Sequence, residues 1–524
     1  MKAQDSQSQL AQPSTEDKKY PYFYFTTVNR RVDPYDVKDQ ELYDSVNWWT
    51  EYQAGGKRVR PGYTPFMDRI DNNPVTGFAF IRFPNGYNRL ARISGPSIYT
   101  IDPNVAATWG APTKTIADTF VAPDSTILQA ICHIVTQVSL TNSHYLEWIN
   151  VAGVDSITDT NYLSGGGDVV VPYRARCCQE YHRRVYVGSP YDASGLYGSN
   201  IDWSSIDYVN NVSGGAATPW SEVLDDVSTA NLTPIDSDYK GSIRKLTTVN
   251  DMLAIYKQGG VYLFNESSIR PFFGLSPYQG SIANMDENQT DYFFTNEGFF
   301  SNNGQAVNPV GEGWYPIIKQ ILANGIDMTK IRSLAINFLY FCFMGNVTYD
   351  GNTINNAMWV YNAYFDELSL WSMGHQITAL GSYVDLFGNK QVVMGDVNGF
   401  TYKLDYSAND DAGIAIQASM KSKYFFFDEP DKQDQLSEVY GFTDPFGGEL
   451  ELSFDQDFNG EYKFPWMSMM GFKTKQKRDP SYVGGFNMLS FKVYWNGRGT
   501  RPGFYGIILN IKQDSERIQG KKGG

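Results

Sequence analysis

Residues 358–406 read MWVYNAYFDELSLWSMGHQITALGSYVDLFGNKQVVMGDVNGFTYKLDY. Apolar and polar residues alternate here in short runs: Met358, Val360 and Tyr361; Leu368, Leu370 and Trp371; Val392 to Met394; Phe400, Tyr402 and Leu404. A side-chain period of two is the mark of a strand. The runs break at Phe365-Asp366-Glu367, at Phe387-Gly388-Asn389 and at Asn398-Gly399. Asn-Gly accepts the positive φ of a tight hairpin turn. The stretch therefore reads as antiparallel strands joined by hairpins. Such a meander cannot bury both of its faces alone, so it needs neighbours of its own kind.

The chain supplies them. Working back towards the N-terminus, strand-turn rhythms appear at Ser333 to Gly351, Thr290 to Val307 (with Asn303-Gly304), Ile243 to Gly274, Val169 to Val209 and Gly77 to Asp102 (with Asn85-Gly86). Ile127 to Leu140 is compatible with a buried helix or a strand, and its β-branched content favours strand. Three units close on a Gly-x-aromatic strand, at Gly260, Gly298 and Gly399. A loose period of roughly 40 residues is the size of a four-stranded propeller blade. Such blades pack face to face, and closing the ring leaves no terminal face bare. Val75 to Asp405 has room for about six to eight of them.

The expected fold class is all-β, an irregular β-propeller with β-rich N- and C-terminal regions. The expected divisions are a flexible tail at 1–20, a docking region at 21–74, the propeller at 75–405, a C-terminal β-rich domain at 406–511 and a flexible tail at 512–524. One interruption, Trp314 to Arg332, reads as a short helix that places Ile317, Ile318, Ile321 and Leu322 on one face.

Composition agrees. Aromatic residues make up 15% of the 524, with 36 Tyr and 32 Phe, and Gly numbers 48, which favours strands and turns. The charge is 43 − 57 = −14. That argues against tight gripping of nucleic acid, which depends on Lys and Arg, but suits a surface past which a polyanion slides. The first residues, MKAQDSQSQLAQPSTEDKK, carry no apolar secretory core, and no run of 18 apolar residues marks a membrane span, so synthesis in a cytoplasm is expected. Asn-x-Ser/Thr matches at Asn211, Asn265, Asn288 and Asn346 then carry no weight as glycosylation sites.

No active site is legible. Cys132, Cys177, Cys178 and Cys342 lack metal spacing, and Cys177-Cys178 reads as two buried thiols rather than a strained vicinal disulfide. His133, His144, His182 and His375 are scattered and read as structural. Asp455, Asp457, Asn459 and Gly460 begin like a calcium loop, but the twelfth position is Trp466 where a bidentate Glu is needed, so a hairpin turn is the expectation. Asp428, Glu429 and Asp431 read as a solvated strand end, and Gly165-Gly166-Gly167-Asp168 as a flexible turn. Lys57, Arg58 and Arg60 read as a solvated loop beside acidic neighbours. Catalytic residues, cofactor sites and metal sites are all expected to be none, and the protein is not expected to be an enzyme.

Several segments together resemble the tail nozzle (hub, or DNA-stabilisation) proteins of tailed, especially short-tailed, bacteriophages. They are RRVYVGSP with IDWSSIDYV (Arg183 to Pro190, Ile201 to Val209), DMLAIYKQGGVYLF (Asp251 to Phe264), MWVYNAYFDELSLWSMG with VVMGDVNGFTYKLD, and KSKYFFFDEP with LSEVYGF and GELELSFDQD. The similarity spans roughly Arg58 to Ile511. It implies a structural virion protein that forms a homo-oligomeric ring, usually six-fold, below the portal and adaptor (head-to-tail connector). Viral double-stranded DNA would pass through its channel without sequence-specific binding, and tail fibre, spike or needle proteins would be further partners. Acids facing the axis would let DNA slide, and aromatics such as Trp314 and Tyr315 would sit in subunit interfaces. A receptor-binding or glycan-degrading tail protein is the alternative, and a cellular propeller scaffold a third reading.

Overall fold

The computed structural model describes residues 18–513, apart from 35, 52–55, 117–118, 129, 138–142, 160, 164–169, 173–174, 190, 193–194, 197–199, 205–232, 235–240, 267, 428–433, 458–466, 471–474, 479–483 and 498. The turns expected at Gly165 to Asp168 and Asn459-Gly460 and the acidic group at Asp428 to Asp431 lie outside the described residues, as do residues 1–17 and 514–524 of the two tails. The chain is predominantly β and divides into two compact units, Pro61–Ile416 and a second formed by Met1–Arg60 with Gln417–Gly524.

Within Pro61–Ile416, seven sets of four antiparallel strands follow one another among the described residues, the last extended to six by the short strands Asp410–Asp411 and Ile414–Ala415, and the unit is a β-propeller. Their first strands are Val75–Arg82, Val121–Leu128, Cys177–Tyr181, Ile243–Val249, Ala283–Met285, Arg332–Ile336 and Ile377–Val384. Each first strand packs beside the next, and Ile377–Val384 returns to pack beside Val75–Arg82. The seventh sheet closes the ring. Its strands Ile377–Val384, Lys390–Asp396 and Thr401–Asp405 come from the late chain, and its fourth, Gly62–Pro65, comes from before the first sheet. Leu404 faces Tyr63 and Lys403 faces Thr64 in that antiparallel pair. The expected propeller bounds of 75–405 therefore widen, because the closing strand lies upstream of Val75.

Residues 358–406 do not form one meander. The strands Asn352–Asn362 and Glu367–Ser372 belong to the sixth sheet, and those from Ile377 onwards to the seventh. The hairpins fall where Gly was expected to supply them, with φ of +90° at Gly86, +78° at Gly304, +85° at Gly388 and +84° at Gly399. Gly260 and Gly298 open the third strands of the fourth and fifth sheets, and Gly399 lies two residues before that of the seventh. Ile127 to Leu140 is split, with Val121–Leu128 and Ile131–Gln137 pairing as a hairpin.

The core lies in layers between neighbouring sheets. Ile81 and Ile93 of the first meet Ile134 and Trp148 of the second. Tyr145 and Val135 meet Val185 and Val187 of the third. Tyr186 and Ile201 meet Leu253 and Phe264 of the fourth. Each large side chain so buried contributes on the order of 2 kcal/mol. The period of two places Cys178 in the layer towards the second sheet and Cys177 in the layer towards the fourth. The two sulfurs face opposite ways, which rules out the vicinal disulfide; all four cysteines are free and buried.

The expected helix is Tyr315–Asn324, with Ile317, Ile318 and Ile321 buried and Leu322 half-buried. Trp314 just before it is fully buried. Its Nε1 donates to the Leu368 carbonyl at 2.8 Å, and its ring meets Trp359 edge-on at 5.0 Å. This corrects the expectation that Trp314 serves a subunit interface. Tyr315 is half-buried and its hydroxyl donates to Glu297.

The other unit is made by both ends of the chain. One sheet runs Trp48–Thr50, Lys57–Val59, Gly503–Gln513, Asp434–Thr443, Lys475–Arg478, and Lys18–Phe23 also pairs with Gly503–Gln513. A second ladder joins Leu42–Val46, Ala418–Ser422, Met488–Trp495, Glu449–Gln456 and Met467–Met470. Aromatic side chains fill the space between: Phe25 lies 5.9 Å from Phe491 of one and 5.9 Å from Phe504 of the other. The separate N-terminal and C-terminal regions expected from sequence are thus one folded body, joined by strand pairing that no local pattern announces. Lys57 and Arg60 are buried there rather than solvated. Arg60 Nε donates to Asn47 Oδ1 at 2.9 Å, and Arg58 pairs with Asp444 and with the buried Glu51, 3.2 Å away.

Candidate functional site: the propeller axis

First strands converge on the axis of a propeller, so their leading residues decide what lines it. In Pro61–Ile416 they enclose a cavity of about 420 Å³ whose walls come from all seven sheets or the loops leading into them. Close packing at the walls relies on two glycines. A Cβ on Gly280 would lie 1.9 Å from the Ile331 carbonyl oxygen, and one on Gly77 would lie 2.1 Å from Pro123 Cγ.

Four cations line the cavity, Arg176, Arg244, Lys245 and Arg332, against one carboxylate, Asp124. Lys245 and Asp124 form an ion pair. Burial alone would lower the Lys245 pKa, but Asp124 outweighs it and the ammonium is held above its ordinary value. The Asp124 carboxylate also accepts the Cys178 N–H at 3.3 Å. Among the described residues the three guanidiniums hydrogen-bond only to neutral partners. Arg176 Nη1 donates to Ser242 Oγ at 2.6 Å, and its buried Nε has no acceptor. Arg244 Nη1 donates to Ser276 Oγ at 3.3 Å and to the Pro277 carbonyl. Arg332 donates from Nε to the Thr378 carbonyl at 3.0 Å and from Nη1 to the Thr329 and Ile331 carbonyls at 2.7 Å each. Burial pushes the pKa of Arg244 and of Arg332 down. The lining of the propeller's own axis has the opposite sign from the chain as a whole; the acids expected from sequence belong to the axis of an assembled ring, which is a different axis.

Sequence reading missed these residues because they stand singly or as one pair at the heads of three different strands. The available signal was positional: Arg176 precedes Cys177–Tyr181, Arg244 and Lys245 open Ile243–Val249, and Arg332 opens Arg332–Ile336.

The residues weighed earlier as chemical candidates are dispersed. His133 is fully buried, bonded to the Tyr145 hydroxyl at 2.8 Å, and burial takes its pKa down to about 3. His144 meets Asp159 at 3.3 Å, and His375 Nδ1 meets the Tyr63 hydroxyl at 2.9 Å. His182 sits between Asp251 at 2.9 Å and Glu266 at 3.2 Å, hydrogen bonds that raise its pKa. Burial lifts the thiols of Cys132 and Cys342 to about 12, which keeps them unreactive. Asp455 is buried and accepts the Tyr424 hydroxyl, while Asp457 Oδ1 accepts the N–H groups of Asn487 and Met488 at 2.9 Å each. Those two carboxylates are engaged in different directions, and among the described residues no His, Cys, Asp or Glu cluster is arranged to hold a metal. No helix among them is long and apolar enough to cross a membrane.

No protein-family model and no curated protein matches the chain. Among solved structures it is similar to BBS1N in complex with ARL6DN (TM-score 0.35, 11% identity, 70% of this chain and 99% of that one). It is also similar to a chain of the Mitotic Checkpoint Complex (0.35, 10%, 68% and 98%). A third is the extracellular domain of the putative hybrid two component system BT4673 from B. thetaiotaomicron (0.41, 10%, 89% and 61%). Likenesses of this size say nothing about function, and the propeller is read from the chain's own sheet order.

Proposed function

We propose that the protein is a structural, non-enzymatic component of a bacteriophage tail: a nozzle subunit that forms a ring below the portal and adaptor, retains the packaged genome and conducts it at ejection. The observation that carries this reading, beside the sequence resemblance, is a set of bare apolar hairpin tips on one face of the propeller. Leu386 and Phe387 are 73% and 89% exposed, and Tyr364 is 76% exposed. They are neighbours: Ala363 N–H donates to the Phe338 carbonyl at 2.8 Å, and Asn337 Nδ2 donates to the Lys390 carbonyl at 3.0 Å. A monomer gains nothing from such tips, whereas a permanent subunit contact buries them. A ring needs a contact that repeats head to tail and closes. The net charge of −14 suits a wall past which DNA moves without adhering.

The genome-retention role has a direct assay. Particles assembled without this chain should package DNA and then lose it to added nuclease, and purified protein should restore protection. Particles that keep their DNA without it would overturn the reading. Release of reducing sugar from host surface polysaccharide would move the protein to the glycan-active class instead.

A further inference from the structure

The axial cavity of the propeller holds an imbalance that the fold itself does not use. Elsewhere in the unit, the buried Arg92 and the half-buried Arg89 are matched by carboxylates. Arg92 meets Asp71 at 2.9 Å, and Arg89 meets Asp155 at 3.2 Å. On the axis, Asp124 is taken by Lys245, and among the described residues Arg176, Arg244 and Arg332 hydrogen-bond to hydroxyl and carbonyl acceptors only. The Arg332 charge also feels Asp327, which lies beside Lys330 at 3.4 Å. Holding unneutralised guanidiniums in a partly desolvated space is costly unless a counter-charge arrives. Each guanidinium also keeps N–H donors that these bonds do not use, including the buried Arg176 Nε.

We propose that the axial cavity is a binding site for a small multivalent oxyanion of the phosphate type, held by Arg176, Arg244 and Arg332 with Lys245 as a fourth positive charge. The volume of about 420 Å³ accepts a pyrophosphate or tripolyphosphate with some of its water. The planar forks of three arginines on different strands suit tetrahedral oxyanions, which accept hydrogen bonds in several directions. The site would be filled by a solute, since the walls come from the ring of first strands rather than from an open surface groove.

The test is calorimetric titration of the full-length protein with orthophosphate, pyrophosphate and tripolyphosphate at constant ionic strength, with chloride as the balancing anion. The expected result is one saturable site per chain, tightening from orthophosphate to tripolyphosphate. Arg244→Gln and Arg332→Gln should each weaken tripolyphosphate about tenfold, the effect of losing one charge-assisted contact. Lys319→Gln on the exposed side of the helix should not. Because removing an unmatched charge relieves the empty site, Arg244→Gln should be no less heat-stable than the parent without anion. Phosphorus-31 line broadening of pyrophosphate by the unaltered protein, reversed by excess tripolyphosphate, reads the site without any variant. No saturable binding by any of the three probes, equal weakening in Lys319→Gln, or binding of a single-stranded oligonucleotide alone would overturn the proposal.

Discussion

Asp291 concentrates the propeller's residue-scale energetics. It is fully buried between the fourth and fifth sheets and accepts from Thr247 Oγ1, the Tyr256 hydroxyl and Asn284 Nδ2. Burial raises its pKa from 3.8 to about 6, with those hydrogen bonds opposing the shift. Between these values the folded chain keeps a proton that the unfolded chain has released. Stability from this residue is therefore full below about pH 4 and lost as pH rises through about 6, by on the order of 3 kcal/mol. His133 works the other way: its folded pKa lies below the ordinary 6.5, so its share of stability is present above pH 6.5 and lost as pH falls towards 3. Asp291→Asn removes only the first slope. Urea midpoints at pH 4, 5, 6 and 7 should show the difference between parent and variant changing across that window, and a constant difference would contradict this assignment.

At the scale of elements, ring closure depends on Gly62–Pro65, a four-residue strand that pairs with Thr401–Asp405. Tyr63 anchors it: the side chain is fully buried, its hydroxyl contacts His375 Nδ1 at 2.9 Å and accepts the His375 N–H at 3.0 Å, and its ring meets Tyr402 edge-on at 5.0 Å. Tyr63→Ala leaves a cavity at the seam and should cost about 3–5 kcal/mol. Tyr63→Phe loses only the hydroxyl and should cost about 1–2 kcal/mol. Hydrogen exchange should show Thr401–Asp405 losing protection first in the alanine variant, and uniform loss across all sheets would count against a weak seam. This element also marks the limit of sequence reading. Turns such as Asn85-Gly86 and Asn398-Gly399 were legible because their signal is local, two residues whose backbone needs are known. The closing strand was not, because Gly62–Pro65 is too short to show a period and its partner lies more than 330 positions later. The blade spacing was legible only as a loose period for a related reason. Successive first strands begin 46, 56, 66, 40, 49 and 45 residues apart, so connection length varies while the sheets stay alike. The axial arginines were invisible because what unites them is convergence in space.

The whole molecule comprises two β units, one propeller and one body built from both chain ends. If the bare tips form the contact, replacing Leu386 and Phe387 with Glu should leave the monomer folded, since both are exposed, and abolish the oligomer. Sedimentation velocity checks both outcomes at once: a monomer with the parent's circular dichroism supports the contact, and an unchanged oligomer places the interface elsewhere. The central claim is that copies of this chain close into a ring around a bore. Its most direct measurement is electron microscopy of the purified protein, alone and mixed with virion necks lacking tails. The account predicts end-on ring views with rotational symmetry, and the same ring seated coaxially on the neck. Single separate particles at every concentration, with necks left bare, would contradict it.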